Sequence, residues 1–85
     1  MRIIYSPRFQ KSYKKLPDRS KKIAEQKEAI FRNDPFDQRL KTHKLSGKLD
    51  GLLAFSIDQK YRIIFEFSKD KKTIYFHQAG DHDIY

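Results

Sequence analysis

The chain has 85 residues, no cysteine and a formal net charge of +8. That excludes a multidomain enzyme, a disulfide framework and a thiolate metal site, and a single small domain is expected over residues 1–85. The longest wholly apolar run, Leu52-Leu53-Ala54-Phe55, is far short of a membrane span, and Met1-Arg2-Ile3-Ile4-Tyr5 lacks the apolar length of a secretory signal; a soluble cytoplasmic protein is expected.

In chain order, Ile3, Ile4 and Tyr5 read as a short strand. Ser6-Pro7 then starts a helix, with Ser able to cap and Pro favoured at the first helical position. Phe9, Tyr13 and Leu16 follow at helical spacing, and Pro17-Asp18 breaks and recaps the chain. Ile23, Ala24, Ile30 and Phe31 mark the buried stripe of a second helix, which Asn33-Asp34-Pro35 ends. Residues 34–51 are irregular and cross from helices to sheet. Leu53, Phe55 and Ile57 alternate with Leu52, Ala54 and Ser56 in a strand, and Asp58-Gln59-Lys60 forms a tight hairpin. Tyr61, Ile63, Phe65 and Phe67 line one face of the next strand, with Arg62, Ile64 and Glu66 on the other. A polar turn over residues 68–72 leads to a last strand from Thr73 to Ala79, ended by Gly80. The expected fold is α+β: two N-terminal helices on a small antiparallel sheet, in the order β-α-α-β-β-β. With 38% hydrophobic residues, its core must rely on the five Tyr and seven Phe.

Charge is unevenly placed. Residues 1–48 hold 14 Lys and Arg against 5 Asp and Glu, net +9, whereas residues 49–85 hold 5 against 6, net −1. The basic half is a candidate polyanion surface. Lys14, Lys15, Lys21 and Lys22 on the helices, and Lys41, Lys44 and Lys48 in the crossing segment, are its candidate contacts to nucleic acid or an acidic protein partner.

Arg62 is the most informative residue. It lies within the apolar run Tyr61-Arg62-Ile63-Ile64-Phe65, where an unpaired guanidinium is costly. It either pairs with Glu66 or Asp58, or it is held for an anion such as phosphate, which its fork of donors fits. A second polar cluster, His77, Asp81, His82 and Tyr85, closes the chain. His77, beside Tyr75 and Phe76, reads as structural, while His82 lies between two aspartates that favour its charged form. Metal-free cleavage of RNA through the ribose 2′-OH needs a base, an acid and a fixed cation at the phosphorane. Histidine suits the first two roles and Arg62 the third. The histidine spacing has no second pair of ligands for zinc, and the three scattered glycines form no phosphate loop, so no metal or cofactor is expected.

Four stretches carry a family resemblance. They are Arg2-Ile3-Ile4-Tyr5-Ser6-Pro7-Arg8-Phe9, Thr42-His43-Lys44-Leu45-Ser46-Gly47-Lys48-Leu49-Asp50-Gly51-Leu52, Tyr61-Arg62-Ile63-Ile64-Phe65-Glu66-Phe67 and Ala79-Gly80-Asp81-His82-Asp83-Ile84-Tyr85. In this order they resemble RelE/ParE-superfamily toxins of type II toxin–antitoxin systems, and among these the YafQ- and YoeB-like ribonucleases. The resemblance implies a RelE-like fold, a cognate antitoxin as partner, and metal-independent cleavage of mRNA on the ribosome, where rRNA would also be contacted. It implies catalytic roles for His43, Arg62, His82 and Tyr85. The chain departs from RelE, which has strand lysines where Leu53 and Phe55 stand, and from YafQ-like members, whose second-strand histidine is replaced by Ser56. A ParE-like inhibitor of DNA gyrase, or a basic nucleic-acid-binding module without catalysis, are the alternative functions.

Overall fold

A computed structural model describes residues 1–84, the side chain of His82 excepted. The elements are β1 (Arg2–Tyr5), α1 (Pro7–Lys14), α2 (Asp18–Asn33), β2 (His43–Lys44), β3 (Leu53–Ser56), β4 (Arg62–Phe67) and β5 (Thr73–Gly80), with short 3₁₀ turns at Gln38–Leu40, Gly47–Leu49 and His82–Ile84. This is the expected α+β order. The crossing segment adds the two-residue strand β2. The sheet runs β1-β5-β4-β3-β2, antiparallel except where β1 lies parallel to β5 at one edge.

The helices start and stop for local reasons. Ser6 caps α1, its hydroxyl accepting from the Phe9 N–H at 3.0 Å, with Pro7 at the first helical position. Pro17 is the N-cap of α2 and contributes no side-chain bond. Asp18, expected to recap the chain, is instead the first helical residue, where its charge complements the helix dipole. β1 pairs with β5 only as far as Tyr5 opposite Phe76. Beyond that point α1 takes over the edge of β5. The Ser6 hydroxyl donates to the His77 carbonyl at 3.1 Å, and the Ser12 hydroxyl accepts from the Ala79 N–H at 2.9 Å, so two serines supply partners that a longer β1 would have supplied.

The core lies between the helices and one face of the sheet. Phe9, Leu16, Ala24 and Phe31 from the helical segment meet Phe55, Ile57, Ile63, Phe65, Ile74, Phe76 and Ala79. Phe31 is its hub, with ring centroids 4.8 Å from Phe55, 4.9 Å from Phe65 and 5.4 Å from Phe76.

Ser20, the one polar residue buried among the described residues, ties α2 to the β3–β4 hairpin through a 2.9 Å bond to Asp58 Oδ2. Asp58 Oδ1 accepts from the N–H groups of Lys60 and Tyr61 at 2.9 and 2.8 Å. Partial burial pushes the Asp58 carboxyl up, but these bonds from Tyr61, Ser20 and Lys60 outweigh it and hold the group below its ordinary 3.8. Asp58→Ala should therefore cost about 1–3 kcal/mol at neutral pH, because three donors lose their acceptor. A depressed folded-state value contributes stability above the unfolded value and loses it as pH falls through the folded one. The gap between variant and wild type in urea melts should accordingly close below pH 3.8; a gap that persists in acid would show that the loss is one of packing.

Candidate functional site

The sheet face turned away from the helices carries the site. Directly opposed strand residues share a face. One row across the sheet is His43, Ala54, Ile64 and Gln78, and the next is Ser56, Arg62 and Gly80. The crossing segment folds over this face as a loop closed by the Leu45 N–H on the Leu52 carbonyl, 2.9 Å. Gly47 at φ +65° and Gly51 at φ +93° let it turn twice in eight residues, in a backbone region that side chains disfavour.

Arg62 has neither of its expected carboxylate partners. Glu66 is engaged by His77, and Asp58 by Ser20 and its own hairpin. Arg62 Nη1 is buried with no hydrogen-bond partner among the described residues. Directly across from Arg62, Gly80 is overlain by the 3₁₀ turn His82–Ile84; a β-carbon at position 80 would collide with Ile84 Cγ2. That turn is held by the Asp81 carboxylate, which accepts from the Asp83 N–H at 3.0 Å, and by the Ile84 N–H on the Asp81 carbonyl at 3.2 Å. The turn that contains the His82 backbone thus follows directly on the strand position opposite Arg62. The side chain of His82 and the whole of Tyr85 lie outside the described residues.

His43 lies two strands from Arg62 and two residues along, about 12 Å between backbones at ordinary strand spacing. Its Nδ1 is 3.0 Å from the Lys41 carbonyl. A carbonyl only accepts, so Nδ1 is the donor in this contact. Lys41, at φ +53°, has the left-handed backbone that aims this carbonyl. His43 shares a cleft of about 450 Å³ with Lys44, Ser46, Lys48 and Leu49.

Leu49 also walls a larger cleft of about 610 Å³, lined with Arg8, Leu52, Ile64, Glu66, His77, Gln78 and Ile84. Here the sequence reading missed a feature. His77 is paired with Glu66 through a 2.7 Å bond from Nε2 to Oε1. The register slips between Ile64 and Phe65, whose partners are Gln78 and Phe76, so His77 is the extra residue of a β-bulge. The signal was present in β5: its core positions Ile74, Phe76 and Ala79 break strict alternation by one residue.

The basic residues divide into two groups. Lys44 and Lys48 sit with His43, and Lys41 orients it. Lys14, Lys15, Lys21 and Lys22 belong to the helical layer, on the other side of the sheet, and are not part of the cleft.

Comparison with known proteins fits this architecture. Residues 1–84 match the family described as bacterial toxin of type II toxin–antitoxin system, YafQ. No curated protein sequence matches significantly. YafQ from Escherichia coli strain BL21(DE3) is similar over 99% of this chain and 97% of its own, with 21% identity and a TM-score of 0.79. A YoeB/ParE toxin from Agrobacterium tumefaciens is similar over 96% and 99%, with 16% identity and a TM-score of 0.80. YafQ in the E. coli DinJ–YafQ toxin–antitoxin complex is 22% identical, over 96% of this chain and 92% of its own, with a TM-score of 0.72. From the match across nearly its full length, the chain belongs to the YafQ family of type II toxin–antitoxin toxins.

Proposed function

We infer that this toxin is a metal-independent endoribonuclease that cuts mRNA on the ribosome and so stops translation. The observation that carries this reading is Arg62 Nη1, buried without a hydrogen-bond partner among the described residues, on the sheet face that also bears His43. A buried donor without an acceptor is costly in a protein that never fills it, and a phosphate oxygen is a fitting acceptor. In the reaction the 2′-oxygen attacks phosphorus, the bond to the 5′-oxygen breaks, and a 2′,3′-cyclic phosphate remains. His43 is the base that takes the 2′-hydroxyl proton, its ring positioned by the contact with the Lys41 carbonyl. His82 is the acid that protonates the departing 5′-oxygen. Arg62, with Lys44, neutralises the phosphorane, and Tyr85 stacks or hydrogen-bonds beside it. The helical lysines contact rRNA, and a cognate antitoxin covers the basic surface in the resting cell; the E. coli relative forms a toxin–antitoxin complex with DinJ.

Induced expression followed by mapping of cellular mRNA 5′ ends tests the reading. Cuts in phase with codons are expected. DNA-damage signalling with intact messages would replace this reading with gyrase inhibition. A second expectation concerns Gly80. Gly80→Ala must push Ile84, and with it the turn carrying His82, away from Arg62. Misplacement by about 1 Å should lower cleavage roughly a hundredfold. Adding Ile84→Ala should restore much of it by removing the overlap; equal activity of Gly80→Ala and wild type would take the turn out of the mechanism.

A further inference from the structure

The His77–Glu66 pair is unexplained by the chemistry above. Both side chains remain open to solvent, at 36% and 41% exposure. An ion pair so exposed contributes at most about 1 kcal/mol. Stability is therefore a weak reason for a β-bulge here. What the bulge does is set His77 and Gln78, neighbours in sequence, into the same cleft, where regular alternation would turn one of them into the core. The cleft is lined by the apolar side chains of Leu49, Leu52, Ile64 and Ile84, by the polar Glu66, His77 and Gln78, and by Arg8. An apolar slot with a few convergent polar groups suits a flat heterocycle. Glu66 lies on the same strand face as Arg62, about 13 Å along β4 between backbones, a gap that the two side chains and one nucleotide together span.

We propose that the cleft walled by Glu66, His77 and Gln78 is a nucleobase subsite that takes a guanine next to the scissile linkage of single-stranded RNA. This assignment rests on the nuclease reading for its placement beside the reacting phosphate. Its chemistry comes from the pair itself. Glu66 Oε1 accepts from His77 Nε2, which orients the carboxylate, and each carboxylate oxygen has a further acceptor position. Guanine presents two neighbouring donors, N1–H and N2–H, that a carboxylate accepts side by side. Uracil presents one N–H between two carbonyl oxygens that a carboxylate repels. Adenine and cytosine each present one amino group beside a ring acceptor. The Gln78 amide donates to the guanine O6, and the leucine and isoleucine side chains cover the ring face.

Binding of 2′-O-methyl oligouridylate, with and without a single guanosine, separates this subsite from the nuclease reading, because the methylated probe cannot be cut. Wild type should bind the guanosine probe about tenfold more tightly, within what one bidentate base contact discriminates. Glu66→Gln should erase the difference, and Gln78→Ala should reduce it. Equal affinity of wild type for the two probes would overturn the proposal, as would discrimination surviving in both variants. Guanosine monophosphate binding as tightly as the oligonucleotide would also overturn it, since the cleft would then take a free nucleotide. Selective binding without codon-phased cuts in cells would support the subsite and remove the nuclease reading. Phased cuts with no base bias at the flanking position would do the reverse.

Discussion

Arg62→Met should slow cleavage by about 10²–10³ and leave the protein at least as stable as wild type. The two effects have one cause. Removing a fixed donor aimed at developing phosphorane charge costs about 10²–10³ in rate. Removing a guanidinium nitrogen that is buried without a partner relieves a desolvation penalty of about 1–3 kcal/mol. Methionine keeps the apolar stem that packs along the strand, so relief is not offset by a void. With about 4–8 °C per kcal/mol for a domain of this size, the melting temperature should hold or rise by several degrees. Arg62→Lys should retain the charge but lose the fork, and so recover only part of the rate. If Arg62→Met instead melted well below wild type with its activity intact, the guanidinium would be a structural group and the site would lie elsewhere.

The sheet was legible because alternation in β4 is strict. Ile63 and Phe65 are buried in the core, and Arg62, Ile64 and Glu66 share the other face. The same arithmetic argues against the pairing of Arg62 with Glu66 that the sequence left open. Residues four apart adjoin on a helix but stand about 13 Å apart on a strand, beyond an ion pair. What alternation hid was the bulge in β5. Periodicity assigns each strand residue to one face and has no symbol for an extra residue, so His77 read as a strand histidine among aromatics. It is in fact the partner of Glu66 on the cleft wall. The contact of His43 with the Lys41 carbonyl was equally invisible, since it depends on the backbone of Lys41 turning left-handed two residues earlier. The replacement of a YafQ-like histidine by Ser56 also gains meaning from register, because Ser56 lies directly opposite Arg62. A small side chain there leaves the guanidinium room that an imidazole would occupy.

Charge follows the layers less simply than the sequence suggested. The basic half of the chain supplies both the helical layer and the crossing loop, and these lie on opposite sides of the sheet. A polyanion held by Lys44 and Lys48 at the cleft is therefore a different contact from one held by Lys14, Lys15, Lys21 and Lys22. Long-range attraction acts through both, but only the first group shares the cleft of His43 and so bears on the proposed reaction. Salt should accordingly weaken ribosome association through either set, with a chemical effect confined to the loop lysines.

Phe31→Ala should be among the most destabilising single substitutions and should act on folding alone. The ring is fully buried and touches Phe55, Phe65 and Phe76, one from each of the three central strands. Truncating such a residue costs about 3–5 kcal/mol, from lost burial and from the cavity left among rings that cannot collapse inward. Small domains sit toward the lower part of the usual 5–15 kcal/mol, so most of the stability would go, with a fall on the order of 20 °C in melting temperature. No residue of α2 lines either cleft, and the hub packs on the face opposite Arg62. At a temperature where the variant remains folded, its cleavage per folded molecule should therefore match wild type, whereas Phe31→Leu should lose far less stability with the same activity. A Phe31→Ala protein that stayed folded but cut poorly would mean that the two faces of the sheet are mechanically coupled, and that the aromatic hub sets the position of the guanidinium across it.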